Sequence, residues 1–307
     1  MPDPQPRDLL IAVPTYRRTE LLPGLIAEIT AQAAALAPPR GTRVIVVDND
    51  PARSAAQIVA ATRAAYLAQP VPGIAAVRQA ALDAAMTGEL VIMIDDDVFP
   101  EPGWLRALVE TWESQRPTAV LGYVRYIWPS DADPWIVAGG FMRRTPHPTG
   151  AHLQTFVTGN VLLDADALRA TGVRFDLSLG MSGGEDTRLG QDILRSGGTI
   201  VACAESVCRD EIPLERVTRA FVRTRTISHG EIRVRVDLNG LTGARAFAGR
   251  VAAFAGGLIR WLTFTMLHLA GRLTGNIRRN AVGQRRAWFA VGRMRAARGR
   301  WGAEYAR

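Results

Sequence analysis

LVIMIDDD, at residues 90–97, is a run of five apolar residues that leads directly into three aspartates. A short apolar run between helical segments is typical of a buried parallel strand, and ligands bind at the carboxyl ends of strands in open α/β sheets. Adjacent carboxylates repel one another unless a positive group neutralises them. The oxygens of Asp95, Asp96 and Asp97 suit Mg²⁺ or Mn²⁺, and such an ion would hold a diphosphate. The alternative is a strand-to-helix turn with acidic capping residues.

The first 240 residues alternate between short apolar runs and helical patterns. Strands are predicted near residues 9–13, 44–47, 90–95, 119–123, 161–163 and 199–203. Helices are predicted near residues 19–36, 53–67, 76–87, 102–115, 185–196 and 214–235. This alternation predicts an α/β fold, with a mostly parallel, Rossmann-like sheet and helices on both faces. Residues 127–157 have no periodicity, which indicates an irregular region that forms part of a site.

Charge is distributed unevenly along the 307 residues, whose net charge is +8. Residues 241–307 contain 13 arginines and one acidic residue, a net charge of +12, whereas residues 1–240 have a net charge of −4. We therefore expect a mildly acidic domain over residues 1–240 and a basic, apolar, helical tail over residues 241–307. Such asymmetry indicates a nucleic acid or an anionic membrane surface as partner. The two cysteines are too few for a disulfide framework or a zinc site.

The tail favours a membrane surface over a nucleic acid, because residues 244–271 are mostly apolar and no nucleic-acid motif is visible. A transmembrane helix over residues 251–271 would place Arg260 near the bilayer centre at a cost of roughly 2.5–3.5 kcal/mol, which an interfacial helix avoids. The alternatives are a helix that spans the membrane and a helical appendage that packs on the domain or on a second chain. The polar, proline-rich residues 1–8 are no secretory signal. The expected location is therefore cytoplasmic, peripherally associated with the inner face of the cell membrane.

Polar residues follow three of the predicted strands, and a sheet of this kind would bring them to one edge. A nucleotide would fit there: Tyr16 would stack on the base, Asp48 would accept from a base N–H group, and Asp95 would bind the ribose hydroxyls. Asp97, with Asp96 as the alternative, would bind a metal ion on the pyrophosphate. The alternative is that Asp48-Asn49-Asp50-Pro51 forms only a turn.

Two further stretches have candidates for charge neutralisation and proton transfer. Arg78, on the helix before the acidic strand, would reach the nucleotide unless it is a surface residue. Gly183 and Gly184 precede two acidic residues at a helix start, where they would let a substrate approach the backbone. A carboxylate at that place would take a proton from an attacking hydroxyl group. We expect Asp186 to be this base, with Glu185 second, and helix capping is the alternative.

Six short motifs occur in order over about residues 8–235. They are VPTYRR at 13–18, VVDND at 46–50, Gly73 with Val77 and Arg78, IDDD at 94–97, TGNVL at 158–162 and SGGEDT at 182–187. Together they resemble the motifs of family 2 glycosyltransferases, which have the GT-A fold. Residues 48–51 and 182–187 are most similar to bacterial exopolysaccharide transferases of the succinoglycan glucosyltransferase type. Gln79 follows Arg78 where many relatives have asparagine.

The resemblance implies a donor half over about residues 8–125 and an acceptor half over about residues 126–240. It implies an inverting, metal-dependent transfer from a nucleotide-diphosphate sugar, with a UDP-sugar favoured. In family terms the donor-binding residues are Pro14, Thr15, Tyr16, Asp48, Arg78, Asp95 and Asp96, the metal ligands are Asp97 and Asp95, and the catalytic residues are Asp186 and Glu185. The acceptor region would contain Gly159, Asn160, Gly183 and Gly184. His229 would contact the metal or the diphosphate, unless it is structural or exposed.

The predicted enzyme is therefore a hexosyltransferase that adds one sugar, since the Gln-x-x-Arg-Trp motif of processive synthases does not follow Asp186. Its acceptor would be a polysaccharide or a glycan linked to polyprenyl diphosphate, in exopolysaccharide or cell-surface glycan biosynthesis. The alternatives are a non-catalytic module that binds a nucleotide sugar or a glycan, and a sugar-phosphate nucleotidyltransferase. The latter class has a glycine-rich first loop with an arginine, whereas residues 14–18 are PTYRR.

Overall fold

The computed structural model describes residues 6–300, which form two compact units. Unit 1 comprises the described residues of Met1–Arg125 together with Arg144–Met181 and Glu185–Asp210. Unit 2 comprises Tyr126–Arg143, Ser182–Gly184 and the described residues of Glu211–Arg307. The boundary predicted at residue 240 between a domain and a tail stays a prediction.

Unit 1 is built on a sheet of eight strands within the described residues, in the order β3-β2-β1-β4-β7-β6-β8-β5. The strands are β1 Leu9–Thr15, β2 Thr42–Asp48, β3 Ala65–Ala68, β4 Leu90–Ile94, β5 Val98–Pro100, β6 Ala119–Ile127, β7 Asn160–Asp164 and β8 Ile200–Glu211. β1 pairs in parallel with β2 and β4, and β2 pairs in parallel with β3. β7 runs antiparallel to both β4 and β6, and β5 runs antiparallel to β8.

The sheet agrees with the expected α/β fold: β3, β2, β1 and β4 run parallel to one another, and antiparallel pairs follow beyond β4. β7 follows β6 after residues 128–159, which contain one helix of five residues, and it runs antiparallel to both β6 and β4. Neighbouring parallel strands require a crossover of a dozen or more residues that is usually helical, and antiparallel strands do not. The spacing of apolar residues does not predict whether a strand that follows an irregular segment runs parallel or antiparallel to its neighbours.

Helices cover both faces of this sheet, as expected. Those of unit 1 are α1 Leu22–Ala34, α2 Ala56–Ala60, α3 Ile74–Asp83, α4 Trp104–Gln115, α6 Ala165–Thr171 and α7 Glu185–Arg195. Side chains of a strand alternate between the two faces. Ile11 of β1 accordingly belongs to a buried cluster with residues of α1 and α4, whereas its neighbour Leu10 belongs to a second cluster with residues of α3 and α7.

The helix predicted over residues 53–67 is wrong in its second half. The helix ends at Ala60, and Ala65–Ala68 forms the edge strand β3, in which Ala65 lies opposite Ile45 of β2. Alanine favours a helix, but the hydrogen bonds that the edge of β2 offers override this local preference. The short elements β5 and α6 were not predicted. A signal for α6 was present, since Asp164 caps it by accepting from the main-chain N–H groups of Asp166 and Ala167.

Unit 2 contains α5 Pro134–Ala138, α8 Arg219–Leu238, α9 Gly243–Leu273 and α10 Ile277–Ala297. The long helices pack closely through glycines. A Cβ atom on Gly230 of α8 would overlap the main-chain oxygen of Phe289 on α10, and one on Gly292 of α10 would overlap that of Ile227 on α8. Only glycine permits so close an approach of two helix backbones.

α9 exposes a row of large apolar side chains. Phe247, Ile259, Met266 and Leu273 are 71%, 65%, 67% and 89% exposed. Judged by length and composition alone, Gly243–Leu273 is the one helix within residues 6–300 that could cross a membrane. Its exposure shows that it is not a core helix of unit 2.

Candidate active site

The carboxyl ends of β1, β2 and β4 lie side by side, because β1 pairs in parallel with the other two strands. Thr15, at the end of β1, is the register partner of Asp48 at the end of β2. β4 ends at Ile94, and Asp95 follows directly. The structure therefore brings the three predicted polar strand ends to one edge of the sheet.

The aspartates that follow β4 have different environments. Asp96 is buried, and its Oδ2 accepts a hydrogen bond from Oγ1 of Thr15 at 2.8 Å. Burial raises the pKa of Asp96 to about 6, and the charge of Asp97 acts in the same direction. Oδ2 of Asp97 accepts from Nη1 of Arg18 at 2.6 Å. Sequence reasoning gave Arg18 no role, although the arginine pair at 17–18 directly after a strand end was a signal.

Arg78 joins the two acidic motifs. It lies on α3 and is buried, with Nη2 donating to Oδ1 of Asp95 at 3.2 Å and Nη1 donating to Oε1 of Glu185. Glu185 is 2% exposed, and its Oε2 has no hydrogen-bond partner among the described residues. Burial raises the pKa of Glu185 to about 7, although the positive charge of Arg78 opposes this shift. The site therefore contains a buried carboxyl group that titrates near neutrality.

Asp186 differs from its neighbour Glu185 in exposure and in partners. It is half-buried, and its Oδ1 accepts from the main-chain N–H group of Thr187 at 2.5 Å and from Oγ1 of Thr187 at 3.2 Å. No arginine in the described part of the chain lies within ion-pair distance of its carboxylate. Both hydrogen bonds orient the side chain at the first turn of α7. Asp186 thus presents an oriented carboxylate that solvent can reach.

Asp48 lies deep under the loop that follows β2, with 1% of its surface exposed. Its Oδ1 accepts from the main-chain N–H group of Asp50 at 2.8 Å, and its Oδ2 accepts from that of Ala55 at 3.1 Å and from the hydroxyl group of Tyr66 at 3.0 Å. Burial and the adjacent Asp48 carboxylate raise the pKa of Tyr66 to about 12. Asp48 therefore holds the turn together, and its contact with a nucleobase stays a prediction.

The first loop is anchored by its strand. Pro14 and Thr15 are buried within β1, and Tyr16 is half-buried. The guanidinium group of Arg17 lies 5.0 Å from the ring centre of Tyr16. Arg17 has a positive φ of 56°, which is uncommon for a residue with a side chain. Stacking of a base on Tyr16 stays a prediction.

Asn160 is an internal residue, with 2% of its surface exposed. Its Oδ1 accepts from Nε1 of Trp104 at 2.7 Å, and its Nδ2 donates to the main-chain oxygen of Ser206 at 2.9 Å. The neighbouring Gly159 has a φ of +103°, and a Cβ atom there would lie 2.5 Å from Oδ2 of Asp95. Asn160 thus connects strands and a helix, while Gly159 makes room for the Asp95 carboxylate. The acceptor role predicted for the two residues stays a prediction.

The remaining predicted residues, Gly183, Gly184 and His229, belong to unit 2. Both glycines have positive φ angles, +76° and +94°. A Cβ atom on Gly184 would lie 2.7 Å from Cγ2 of Ile232 on α8, so packing also requires a glycine. His229 is exposed on α8. The structure thus brings Thr15, Asp95, Asp96, Asp97, Arg78 and Glu185 together in unit 1, and the roles of the three unit 2 residues stay predictions.

Comparison with known proteins gives the family. The family model described as "Glycosyl transferase family 2" matches residues 10–172. The chain belongs to glycosyl transferase family 2. It is also 34% identical over 257 residues to the succinoglycan biosynthesis protein ExoM of Rhizobium meliloti (strain 1021), a match that covers 80% of this chain and 81% of that protein. The resemblance deduced from the motifs is confirmed. The prediction that this enzyme is a glycosyltransferase is confirmed as well.

Of the two similar solved structures that follow, the first supports the same fold for this family 2 glycosyltransferase. The crystal structure of GalNAc-T7 with UDP, GalNAc and Mn²⁺ matches with a TM-score of 0.54 and 12% identity, over 78% of this chain and 52% of that chain. The crystal structure of S. aureus TarS 1-349 in complex with UDP-GlcNAc matches with a TM-score of 0.49 and 13% identity, over 90% of both chains. The expected GT-A fold is confirmed.

The acidic motif fits a metal ion that is shared with a substrate. Within residues 6–300, no three His, Cys, Asp or Glu side chains are grouped as a metal site. Mg²⁺, however, is usually held by one or two carboxylates together with substrate phosphates. The side chains of Asp95 and Asp97 are 35% and 27% exposed and stand at one strand end. These two carboxylates suit a divalent cation whose other ligands come from a bound phosphate compound.

Proposed function

We propose that the enzyme transfers one sugar, with inversion and with metal dependence, from a nucleotide-diphosphate sugar to a lipid-linked or polysaccharide acceptor in exopolysaccharide or cell-surface glycan biosynthesis. A UDP-sugar is the favoured donor. The similarity to a succinoglycan biosynthesis protein supports the polysaccharide setting. The observation that carries the proposal is Arg78, whose guanidinium group binds both Asp95 and Glu185. Arg78 thus connects Asp95, at the strand end where the donor would bind, with Glu185, in the acidic pair where the acceptor would lose its proton.

Positive charge at the strand ends would stabilise the leaving group. Arg78 and Arg18 hold guanidinium groups beside the acidic motif, where a departing nucleoside diphosphate would carry negative charge. Fixed charges aimed at the place where charge develops lower the barrier most effectively. A divalent cation held by Asp95 and Asp97 would add positive charge at the donor diphosphate. Asp96, buried and bonded to Thr15, would keep the motif in position.

Asp186 would act as the general base. The acceptor hydroxyl group would lose its proton to Asp186 while its oxygen forms a bond to the anomeric carbon. The bond from that carbon to the diphosphate oxygen would break at the same time, and a single displacement inverts the carbon. Glu185 is the second candidate, but its Oε1 is bound to Arg78 inside the protein. Its role would therefore be to position Arg78.

The long helices of unit 2 support the proposed membrane association. Residues 241–307 have a net charge of +12, and α9 exposes apolar side chains. An apolar, arginine-rich helix of this kind binds an anionic membrane surface. We accordingly propose a catalytic domain over residues 1–240 and a tail that holds the enzyme peripherally at the inner face of the cell membrane. The acceptor would then be a glycan on polyprenyl diphosphate.

Two variants test the chemical proposal. Release of UDP from UDP-glucose is measured with a sugar linked to polyprenyl diphosphate as acceptor, and UDP-galactose and dTDP-glucose are tested as alternative donors. Asp186→Asn should lower turnover about 10²- to 10⁴-fold, since it removes the base, and calorimetry should show unchanged affinity for UDP in the presence of Mn²⁺. Asp192→Asn, on the same helix, is the control and should keep full turnover. Near-full turnover of Asp186→Asn would show that another residue is the base.

The two alternatives agree less well with these findings. Membership of a glycosyltransferase family does not fit a sugar-phosphate nucleotidyltransferase. A non-catalytic module would be favoured by the loss of either acidic motif, and both are present. Absence of UDP binding with and without Mn²⁺ in the same calorimetry would contradict the proposed donor site.

A further inference from the structure

Unit 2 contains a pocket of about 770 Å³ that the proposed transfer does not use. It is formed by α5, the first turns of α8, the last turns of α9 and the first turns of α10. Pockets of roughly 300–1,000 Å³ are typical of sites for small ligands. The volume of the pocket does not identify a ligand. The charges and polar groups of the residues that line the pocket indicate which ligand it fits.

The walls of this pocket are positively charged. Arg219, Arg223 and Arg272 line it, and none of its lining residues is acidic. Arg219 is already paired with Asp133 at 2.7 Å. Arg223 and Arg272 are exposed, and within residues 6–300 no carboxylate lies within ion-pair distance of either. Two arginines without counter-ions on one pocket favour an anion, and the planar guanidinium group matches the oxygen geometry of a phosphate or a carboxylate.

The floor of the pocket is fixed by hydrogen bonds. Oδ1 of Asn280 accepts from Nε1 of Trp135, and the main-chain oxygen of Asn280 lies 3.0 Å from Nδ1 of His268. Nδ2 of Asn280 lies 3.1 Å from the same ring nitrogen, and it also donates to the main-chain oxygen of His268 at 3.3 Å. Trp288 packs against Trp135 with ring centres 5.9 Å apart. The pocket is therefore preorganised, with rigid aromatic walls.

The helix ends add to this charge. The pocket includes Arg219 and Ala220 in the first turn of α8 and Ile277 in the first turn of α10. Helix amino termini carry partial positive charge and bind phosphate groups. α9 contributes its carboxyl terminus, whose opposite partial charge is compensated by Arg272 in its last turn.

Apolar side chains border the same end of α9. Met266, Leu269 and Leu273 are 67%, 45% and 89% exposed, and Ile277 at the start of α10 is 47% exposed. A cationic pocket beside an exposed apolar strip matches an amphiphile with an anionic head and a hydrocarbon chain. A soluble phosphate compound would match the pocket but not the strip.

We propose that this pocket binds the phosphate or diphosphate headgroup of the lipid-linked acceptor, with the hydrocarbon chain lying along Leu269, Leu273 and Ile277. This inference rests on the proposed function, since it assigns a place to the acceptor of that reaction. Arg223 and Arg272 would bind the phosphate oxygens, and the ring of Trp288 would pack against the first sugar.

The test compares two double variants that remove the same charge from the full-length chain. Arg223→Gln/Arg272→Gln changes the pocket, and Arg245→Gln/Arg250→Gln removes two exposed arginines from the opposite end of α9. Binding is measured by co-sedimentation with phosphatidylcholine vesicles that contain polyprenyl diphosphate, or phosphatidylglycerol at equal charge. Calorimetry with inorganic pyrophosphate measures recognition of the free anion. Circular dichroism confirms that both variants are folded.

The pocket variant should bind polyprenyl-diphosphate vesicles about tenfold more weakly, equivalent to about 1.4 kcal/mol. Its binding to phosphatidylglycerol vesicles should fall no more than that of the control variant. Equal losses for both variants on both vesicles would overturn the inference in favour of general attraction to an anionic surface. Pyrophosphate binding as tight as that of the lipid diphosphate would show a site for the free anion instead. No donor is present, so these results stand apart from turnover of Asp186→Asn, on which the proposed function depends.

Discussion

Replacing Glu185 by glutamine should remove a pH dependence from the folding stability of the enzyme. Glu185 is 2% exposed, and burial raises the pKa of its carboxyl group from 4.5 to about 7. The folded state therefore holds this proton more tightly than the unfolded state does. The resulting stability is fully present below pH 4.5 and is lost as the pH rises towards 7. The free energy of unfolding falls by about 1.4 kcal/mol for each pH unit over this range, or by about 3 kcal/mol in total.

Urea denaturation of both chains across this pH range measures the effect. The free energy of unfolding of the wild type should fall relative to that of Glu185→Gln by about 3 kcal/mol as Glu185 ionises. Glutamine also loses the ion pair with Arg78, so the difference between pH values is the readout and the absolute stability is not. Asp192→Asn is the matched control, because Asp192 on the same helix pairs with Arg188 at 2.7 Å near the surface. Parallel curves for the wild type and Glu185→Gln would refute the reasoning.

Three further substitutions follow from the contacts in unit 1. Arg18→Gln should weaken binding of UDP without metal and enlarge the gain from Mn²⁺, because it takes a positive charge from the aspartates that would share the cation; calorimetry checks both affinities. Asn160→Ala should cost about 1–3 kcal/mol of stability, measured by urea denaturation, because it leaves the buried indole N–H group of Trp104 without an acceptor. Asp48→Asn should lower the pKa of Tyr66 from about 12 but not to 10, since burial remains, and absorbance titration of the phenol measures the shift.

The acidic strand end could be predicted because its residues have no use in packing. Three consecutive carboxylates after an apolar strand need neutralisation whatever the rest of the fold is. The strand β3 could not be predicted, because Ala65–Ala68 has no strand pattern of its own and depends on the edge of β2. The sequence thus indicates that adjacent carboxylates require neutralisation, but it does not indicate which hydrogen bonds a neighbouring strand provides.

The contacts between residues of the site were also difficult to predict, because each depends on residues that are distant in the sequence. Arg78 and Glu185 are 107 positions apart, and no local pattern indicates that they pair. Asn160 stands in a motif that matched the family, yet periodicity did not show that its amide group is fully engaged inside the protein. Arg18 carried no distinguishing pattern beyond its position after a strand. Contacts of this kind depend on how strands and helices are arranged.

The adjacent carboxylates of α7 illustrate how the structure separates roles that the sequence leaves together. Consecutive residues of an α-helix point about 100° apart, so Glu185 and Asp186 cannot share an environment. Glu185 faces the interior, where Arg78 binds it and burial raises its pKa to about 7. Asp186 remains half-buried, oriented by Thr187. A general base has to receive a proton from a bound hydroxyl group and return it to solvent, which suits Asp186. A buried carboxylate that fixes an arginine suits Glu185, and we therefore propose Asp186 as the base and keep Glu185 as the second candidate.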